Sequence, residues 1–202
     1  MVFTMPGCAR THRTDKALRG LLILLCAFSL LCLAACSGEQ QGGAFAIDEI
    51  DARWANGAID VRVNQQIELS QEARRALRHG VPLTLEVELI IRDARTQTRL
   101  QKHNSPYELR YLPLSERYQL SGPNQDDTRT FPRLRHALSD LGRLELSFRT
   151  GVLPSGEYEL LARSFLDKRA MPPPMRLPVM FSQQWNHESD WTSWPLEIEP
   201  GA

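Results

Sequence analysis

Three segments of the chain alternate between apolar and polar residues. They are 59–69, 83–92 and 144–149, and the first contains one polar residue, Gln65, at an otherwise apolar position. Because alternate side chains of a β-strand point to opposite faces, each segment predicts a strand that buries one face. Weaker alternation predicts further strands at 45–54, 99–102, 107–112, 117–121, 157–166, 177–181 and 194–198.

Two segments between these strands carry helix signals. The first predicted helix follows Ser70 as its N-cap and ends at Gly80, with an apolar face of Ala73, Ala76 and Leu77. The second follows Thr130 as its N-cap and ends at Gly142, with an apolar stripe of Phe131, Leu134, Leu138 and Leu141. The segment from Met171 to Pro178 contains four prolines and predicts an extended, polyproline-like path.

Many short strands joined by turns, with two short helices, are typical of a mainly β domain. We therefore predict a single antiparallel β-sandwich, immunoglobulin-like in class, over residues 46–202. The four cysteines of the chain precede this domain, at Cys8, Cys26, Cys32 and Cys36. The predicted domain thus contains no disulfide, and its stability must come from its apolar core.

The N-terminal segment has the order of a secretory signal. Four basic residues are followed by an apolar run from Leu21 to Leu33, and Ala34 and Ala35 stand directly before Cys36. It resembles a bacterial lipoprotein signal, which implies acylation of Cys36 and removal of residues 1–35. The alternative is an uncleaved membrane helix, since residues 20–36 carry no charge and reach the lower limit of a spanning length. In both cases the basic residues hold the N-terminus inside and place the domain outside the cytoplasm.

The predicted lipid anchor and linker occupy residues 36–45. Residues 37–44 are small and polar, as in flexible linkers, and eight residues span at most about 28 Å. The domain therefore stays close to its membrane. Gram-negative lipoprotein sorting retains proteins with aspartate after the acylated cysteine in the inner membrane, and this chain has Ser37. We therefore predict residence in the outer membrane, on its periplasmic face.

The charge balance of the mature chain argues against a nucleic-acid partner. The predicted signal holds four of the 24 basic residues and one of the 24 acidic residues. The mature chain therefore has 20 basic and 23 acidic residues, a net charge of −3, whereas nucleic-acid binders are normally basic.

The chain lacks the sequence motifs of common hydrolases. It has no Gly-x-Ser-x-Gly elbow, no His-Glu-x-x-His motif, no phosphate-binding glycine loop and no cysteine after Cys36. We predict no cofactor. The histidines of the mature chain are His79, His103, His136 and His187. Two alternatives stay open: a metal site built from His187, Glu188 and Asp190, and an envelope hydrolase whose cleft collects Asp126, His136 and His187.

The C-terminal part of the chain contains the sharpest candidate site. Trp185, Trp191 and Trp194 lie within ten residues, and aromatic side chains carry much of the binding energy of interfaces and sugar sites. With Arg163 and Asp167 they form a candidate contact surface. The structural alternatives are that the tryptophans close the core and that Arg163 and Asp167 form an ion pair. The sequence thus predicts a non-catalytic binding or accessory module whose partner is an envelope protein, lipid or glycan.

The order of several features along the chain resembles one protein family. These features are Ser70 before a helix, the segment Gly80 to Leu83, the stretch Tyr107 to Tyr118, the segment Arg163 to Asp167 before prolines, and the C-terminal tryptophans. Together they resemble the domain of unknown function numbered 4390 of Gram-negative bacteria, over roughly Ile47 to Leu196. That family commonly has tryptophans in the hairpin after its long strand, where this chain has Asp93 to Gln97. The resemblance implies an envelope protein without a known activity.

Overall fold

A computed structural model describes residues 43–124 and 127–198. The predicted signal at 1–35, Cys36 and residues 37–42 of the predicted linker lie outside the described residues. The elements within them, in chain order, are β1 (Ala44–Ala55), β2 (Ala58–Glu68), α1 (Gln71–Arg78), β3 (Leu83–Asp93), β4 (Arg99–Leu112), β5 (Arg117–Ser121), β6 (Thr128–Phe131), α2 (Leu134–Leu141), β7 (Arg143–Arg149), β8 (Gly156–Leu166), α3 (Pro173–Phe181) and β9 (Thr192–Ile198). Two 3-10 turns, Lys168–Ala170 and Gln183–Trp185, flank α3.

The strands form two antiparallel sheets, which confirms the prediction of a mainly β domain. The strand order is β1-β2-β7 in the smaller sheet and β6-β5-β4-β3-β8-β9 in the larger one. One hydrophobic cluster takes residues from both sheets and from all three helices. β1 begins at Ala44 and Phe45 is buried, so the strand starts two residues before the boundary predicted between linker and domain. Among the described residues, no helix is long and apolar enough to cross a membrane.

The strongest alternating segments lie on strands with the predicted faces. β2, β3 and β7 bury the alternating apolar positions of segments 59–69, 83–92 and 144–149, except that Ile67 is half-buried and Leu69, also buried, follows the end of β2. Gln65, the polar exception, is buried on β2: it accepts a hydrogen bond from Ser164 Oγ on β8 and donates one of 2.8 Å to the Leu141 carbonyl. These partners satisfy its amide, so the polar residue links the two sheets across their interior.

β4 joins two strands that the sequence predicts separately, at 99–102 and 107–112. It runs through Pro106, which has no N–H to donate to a neighbouring strand. Among the described residues β5 pairs with β4 only from Glu108 to Leu112. Pro106 therefore lies where β4 has one unpaired side, the position in which a sheet tolerates proline.

α1 confirms the first helix prediction. Ser70 Oγ accepts a hydrogen bond of 3.1 Å from the Ala73 N–H, which satisfies one of the free donors of the first turn. Ala73 and Leu77 are buried in the core. The chain leaves the helix through Gly80, whose φ of +85° favours glycine.

The second helix prediction is correct at its end and wrong at its start. α2 ends at Gly142 as expected, but it begins at Leu134. Thr130, the predicted cap, and Phe131 instead lie on β6 and pair with β5. Pro132 explains the difference, because a proline disfavours the helical conformation of the residue before it and so keeps Phe131 extended.

The predicted polyproline path at 171–178 and the predicted strand at 177–181 are both wrong. Residues Pro173–Phe181 form α3. Pro173 and Pro174 occupy its first turn, where the missing N–H would have no partner inside the helix. Val179 is buried in the core and Met175 packs against it, so contact with the core holds this helix despite Pro178 in its interior.

Candidate functional site

Arg163 lies on the outer face of the larger sheet. Its neighbours Ala162 and Ser164 on β8 are buried, so the alternation of the strand turns Arg163 away from the core. Glu88 of β3 is its partner in the strand register, and the pairing of Ala162 with Thr192 brings Trp191 to the opposite side of Arg163. Strand pairing thus positions three side chains from distant parts of the sequence in one row.

Glu88 holds Arg163 in place. Arg163 Nε and Nη2 donate hydrogen bonds of 3.1 and 2.8 Å to Glu88 Oε2, and Lys102 Nζ lies 2.7 Å from Glu88 Oε1. Burial of Glu88 acts to raise its pKa, but the hydrogen bonds and charges of Lys102 and Arg163 outweigh it and hold the pKa below its ordinary value. Glu88 is therefore an ionised, buried carboxylate that orients two cations.

Two aromatic rings enclose the Arg163 guanidinium. Its Cζ lies 4.7 Å from the centroid of the Trp191 ring and 5.0 Å from that of Phe165. A cation over an aromatic face is worth about 0.5–1 kcal/mol at an exposed site. We call the set Glu88, Lys102, Arg163, Phe165 and Trp191 the outer-face cluster. Trp191 is 43% exposed and the Lys102 side chain 44%, so both face solvent.

The outer-face cluster combines a positive charge with an exposed aromatic surface. Its two cations outnumber its one carboxylate, and the ion pairs fix the guanidinium before any ligand binds. Such an arrangement can bind a carboxylate or phosphate through Lys102 and an apolar or sugar-ring surface through Trp191.

The other residues of the predicted contact surface lie elsewhere. Trp185 is 4% exposed and belongs to the core, and Trp194 is half-buried against the core opposite Leu160. Asp167 caps the 3-10 turn after β8 by accepting a hydrogen bond of 2.9 Å from the Arg169 N–H. The structure therefore brings together Arg163 and Trp191 but places Trp185, Trp194 and Asp167 apart from them.

The ion pair considered between Arg163 and Asp167 does not form. Arg163 pairs with Glu88, and Asp167 Oδ1 lies 3.4 Å from Arg169 Nε. Sequence reasoning missed Glu88 and Lys102 as partners of Arg163. The alternation of β3 already placed Glu88 on the outer face, but only the pairing of β3 with β8 and β4 shows which residues it meets.

His187 is a buried structural histidine. It is 1% exposed, and its Nε2 accepts a hydrogen bond of 2.9 Å from the Ser70 N–H at the start of α1. An accepting Nε2 requires a neutral ring with its proton on Nδ1. Burial lowers the pKa of His187, a backbone contact with Trp185 opposes this, and the charge of Lys168 acts in the same direction as burial. A Cβ on Gly43 would lie 1.7 Å from His187 Cδ2, so the start of the described chain rests directly on this ring.

The residues named for the metal and hydrolase alternatives differ in their surroundings. Glu188 and Asp190 are exposed while His187 is buried, and the described residues contain no group of three or more His, Cys, Asp or Glu side chains that could hold a metal ion. His136 is exposed on α2, where Arg135 Nε donates to its Nε2. Asp126 lies outside the described residues.

A groove of about 400 Å³ crosses the smaller sheet, on strands β1, β2 and β7. Two arginines of the groove are paired with carboxylates: Arg62 lies 3.3 Å from Asp51 and 3.5 Å from Glu145, and Arg53 lies 3.7 Å from Asp51. With Asp60 its lining has three acidic and two basic residues, so the groove is slightly acidic, whereas the outer-face cluster has an excess of positive charge.

The fold and the outer-face cluster define a mainly β protein of two antiparallel sheets with a charged, aromatic outer surface. The chain belongs to the family named Domain of unknown function (DUF4390), whose family model matches residues 43–195. This match confirms the resemblance seen in the sequence. Searches of curated proteins and of solved structures give no match.

Proposed function

We propose that this protein is a lipoprotein anchored through Cys36 to the outer membrane, where it faces the periplasm and acts as a non-catalytic binding or accessory module. A basic segment, an apolar run and two small residues before Cys36 support the lipid anchor. Ser37, which follows Cys36 in place of an aspartate, supports the outer membrane as the location. Separation of the two membranes by density checks the location: recovery of the protein in the inner-membrane fraction contradicts it.

We also infer that the two sheets form an immunoglobulin-like β-sandwich. The shared hydrophobic cluster supports this, and so does the hydrogen bond from Ser164 on one sheet to Gln65 on the other. Two sheets that face each other bury their inner sides in one core. An experimental structure in which the sheets do not face each other contradicts the inference.

One observation carries the binding role: Trp191 is exposed, yet it is stacked on an arginine that a buried carboxylate holds in place. A side chain fixed before binding loses little entropy when a partner arrives, so more of its contact energy becomes affinity. The partner that fits is an envelope protein, lipid or glycan that presents an anionic group beside an apolar or sugar-ring surface.

Photo-crosslinking in living cells tests this role. A photoreactive phenylalanine analogue replaces Trp191 in one variant and Val152 in another; Val152 is 93% exposed in the loop between β7 and β8 and provides the matched control. We expect a defined adduct from position 191 that position 152 does not give. The adduct should disappear when Arg163→Ala is added, while Arg95→Ala, on an exposed turn, leaves it unchanged. Equal adducts from both positions contradict the proposal.

A further inference from the structure

The outward face of α3 is apolar. Met175 and Val179, one helical turn apart, face the core. Pro173, Leu177 and Phe181 follow one another at intervals of four residues on the opposite side, with Met180 beside them. Leu177 is 69% exposed, Met180 53% and Phe181 86%. A surface helix normally turns a polar face to water, whereas α3 is apolar on its outward side as well as on its core side. Clustered exposed apolar side chains mark a surface that binds a partner or a membrane.

The segment that carries α3 is also basic. Residues 168–186 include Lys168, Arg169 and Arg176 and contain no acidic residue; Asp167, which lies 3.4 Å from Arg169 Nε, leaves a net charge of +2 over residues 167–186. Arg169 and Arg176 are exposed. Arg176 Nε donates a hydrogen bond of 2.8 Å to the Met171 carbonyl, which keeps this side chain beside the helix. The mature chain as a whole is acidic, so this local excess of positive charge is a property of the α3 segment. An apolar stripe flanked by cations is complementary to a phospholipid surface.

The described chain begins beside the segment that follows α3. Gly43 rests on the ring of His187, which follows the 3-10 turn after α3. The same turn packs against α1. At the start of α1, His187 accepts a hydrogen bond from the Ser70 N–H, and Ser70 Oγ accepts one from the Ala73 N–H. If Cys36 carries the acyl chains, residues 36–43 can span at most about 28 Å. The tether therefore holds the start of the domain, and with it the segment that follows α3, close to the bilayer.

We propose that α3 lies on the bilayer that holds the lipid anchor, with Leu177, Met180 and Phe181 in contact with lipid and Lys168, Arg169 and Arg176 near the headgroup phosphates. The proposal rests on the proposed function for the anchor alone and is independent of the outer-face cluster. A short helix binds lipid weakly by itself, but the tether makes the contact intramolecular and raises its effective concentration. Anchor and helix together give the domain one orientation on the membrane.

Fluorescence of the full-length chain tests this orientation. Phe181→Cys and Val152→Cys variants are expressed in a Gram-negative host, purified from membranes and labelled with a polarity-sensitive dye on the new thiol. Both positions are highly exposed, so neither substitution disturbs the core, and Leu177→Cys provides a second label on α3. The labelled proteins enter vesicles of phosphatidylethanolamine and phosphatidylglycerol that contain a spin-labelled lipid as quencher.

We expect the dye at position 181 to shift its emission to the blue and to lose intensity with the quencher lipid, while the dye at position 152 does neither. Unquenched emission at 177 and 181 overturns the inference. A blue shift at 181 without lipid quenching also overturns it, because a protein then covers the helix.

Intact mass separates this result from the proposed function. If the mass shows acyl chains on Cys36, the anchor is present and the dye result alone decides the orientation. A mass without them refutes the anchor; the dyes are then placed in a chain whose four native cysteines are alanine, and quenching by added vesicles decides whether α3 binds lipid unaided.

Discussion

Trp185→Ala should lower the stability of the protein, whereas Trp191→Ala should weaken its binding to a partner. Trp185 is 4% exposed within the core, at the end of the 3-10 turn that packs against α1. Removing a buried tryptophan side chain costs about 3–5 kcal/mol, a large part of the 5–15 kcal/mol that stabilises a typical domain. At about 2–4 °C per kcal/mol for a domain of this size, the melting temperature should fall by about 6–20 °C.

Trp191→Ala removes a half-exposed ring and its contact with the Arg163 guanidinium. That contact is worth about 0.5–1 kcal/mol, so the melting temperature should change by about 1–4 °C. The free energy of binding to the partner should instead become less favourable by about 2 kcal/mol or more if Trp191 is an interface hot spot.

Thermal unfolding followed by far-ultraviolet circular dichroism measures both variants without relying on tryptophan fluorescence. A photoreactive residue at exposed position 193, two residues from Trp191 on the same face of the sheet, measures binding in both variants. The reasoning is refuted if Trp185→Ala melts within a few degrees of the wild type, or if Trp191→Ala destabilises the protein as much as Trp185→Ala does.

Three further predictions concern the anchor, the buried histidines and the absence of disulfides. Cys36→Ala should leave an uncut, unacylated precursor visible by intact mass; normal processing would show that another residue carries the anchor. The stabilisation from neutral His187 should be complete above about pH 6.5 and be lost as the pH falls toward its lower folded-state pKa, because the unfolded chain then binds the proton first. His187→Gln keeps an acceptor for the Ser70 N–H and should make the free energy of unfolding, measured with urea, vary less with pH; an unchanged pH dependence would contradict this. Burial also lowers the pKa of His103, so His103 should leave a residual pH dependence. Unfolding with and without a thiol should coincide, since residues 37–202 contain no cysteine, and a shift of several degrees would disagree.

The sequence predicted the elements whose signals are local. α1 was foreseen with its cap because Ser70 and the apolar face of the helix lie within one short segment. β2, β3 and β7 were foreseen because each alternates apolar and polar residues along the sequence. Proline caused the errors: Pro132 moved the start of α2, and the prolines of α3 lie in its first turn or are outweighed by burial of Val179.

The candidate site was predictable only in part, for a related reason. Arg163 and Trp191 stood out by residue type, and the structure places them in contact. Glu88 and Lys102 did not, because their role depends on the register of β3 with β4 and with β8, and β8 lies far from both in sequence. The sequence also does not distinguish Trp185 from Trp191, although Trp185 is buried in the core and Trp191 is exposed on the surface.

The pairing of β1 gives the domain a mechanical property. In a protein anchored through Cys36, any pull on the domain enters at Ala44, where β1 begins. β1 pairs with β2 from Ala44 to Ala55, and the hydrogen bonds of antiparallel strands run perpendicular to them. A force along the strand axis therefore shears many of these bonds together instead of opening them one at a time. The strand next to the anchor should resist extension when the membrane and a bound partner move apart.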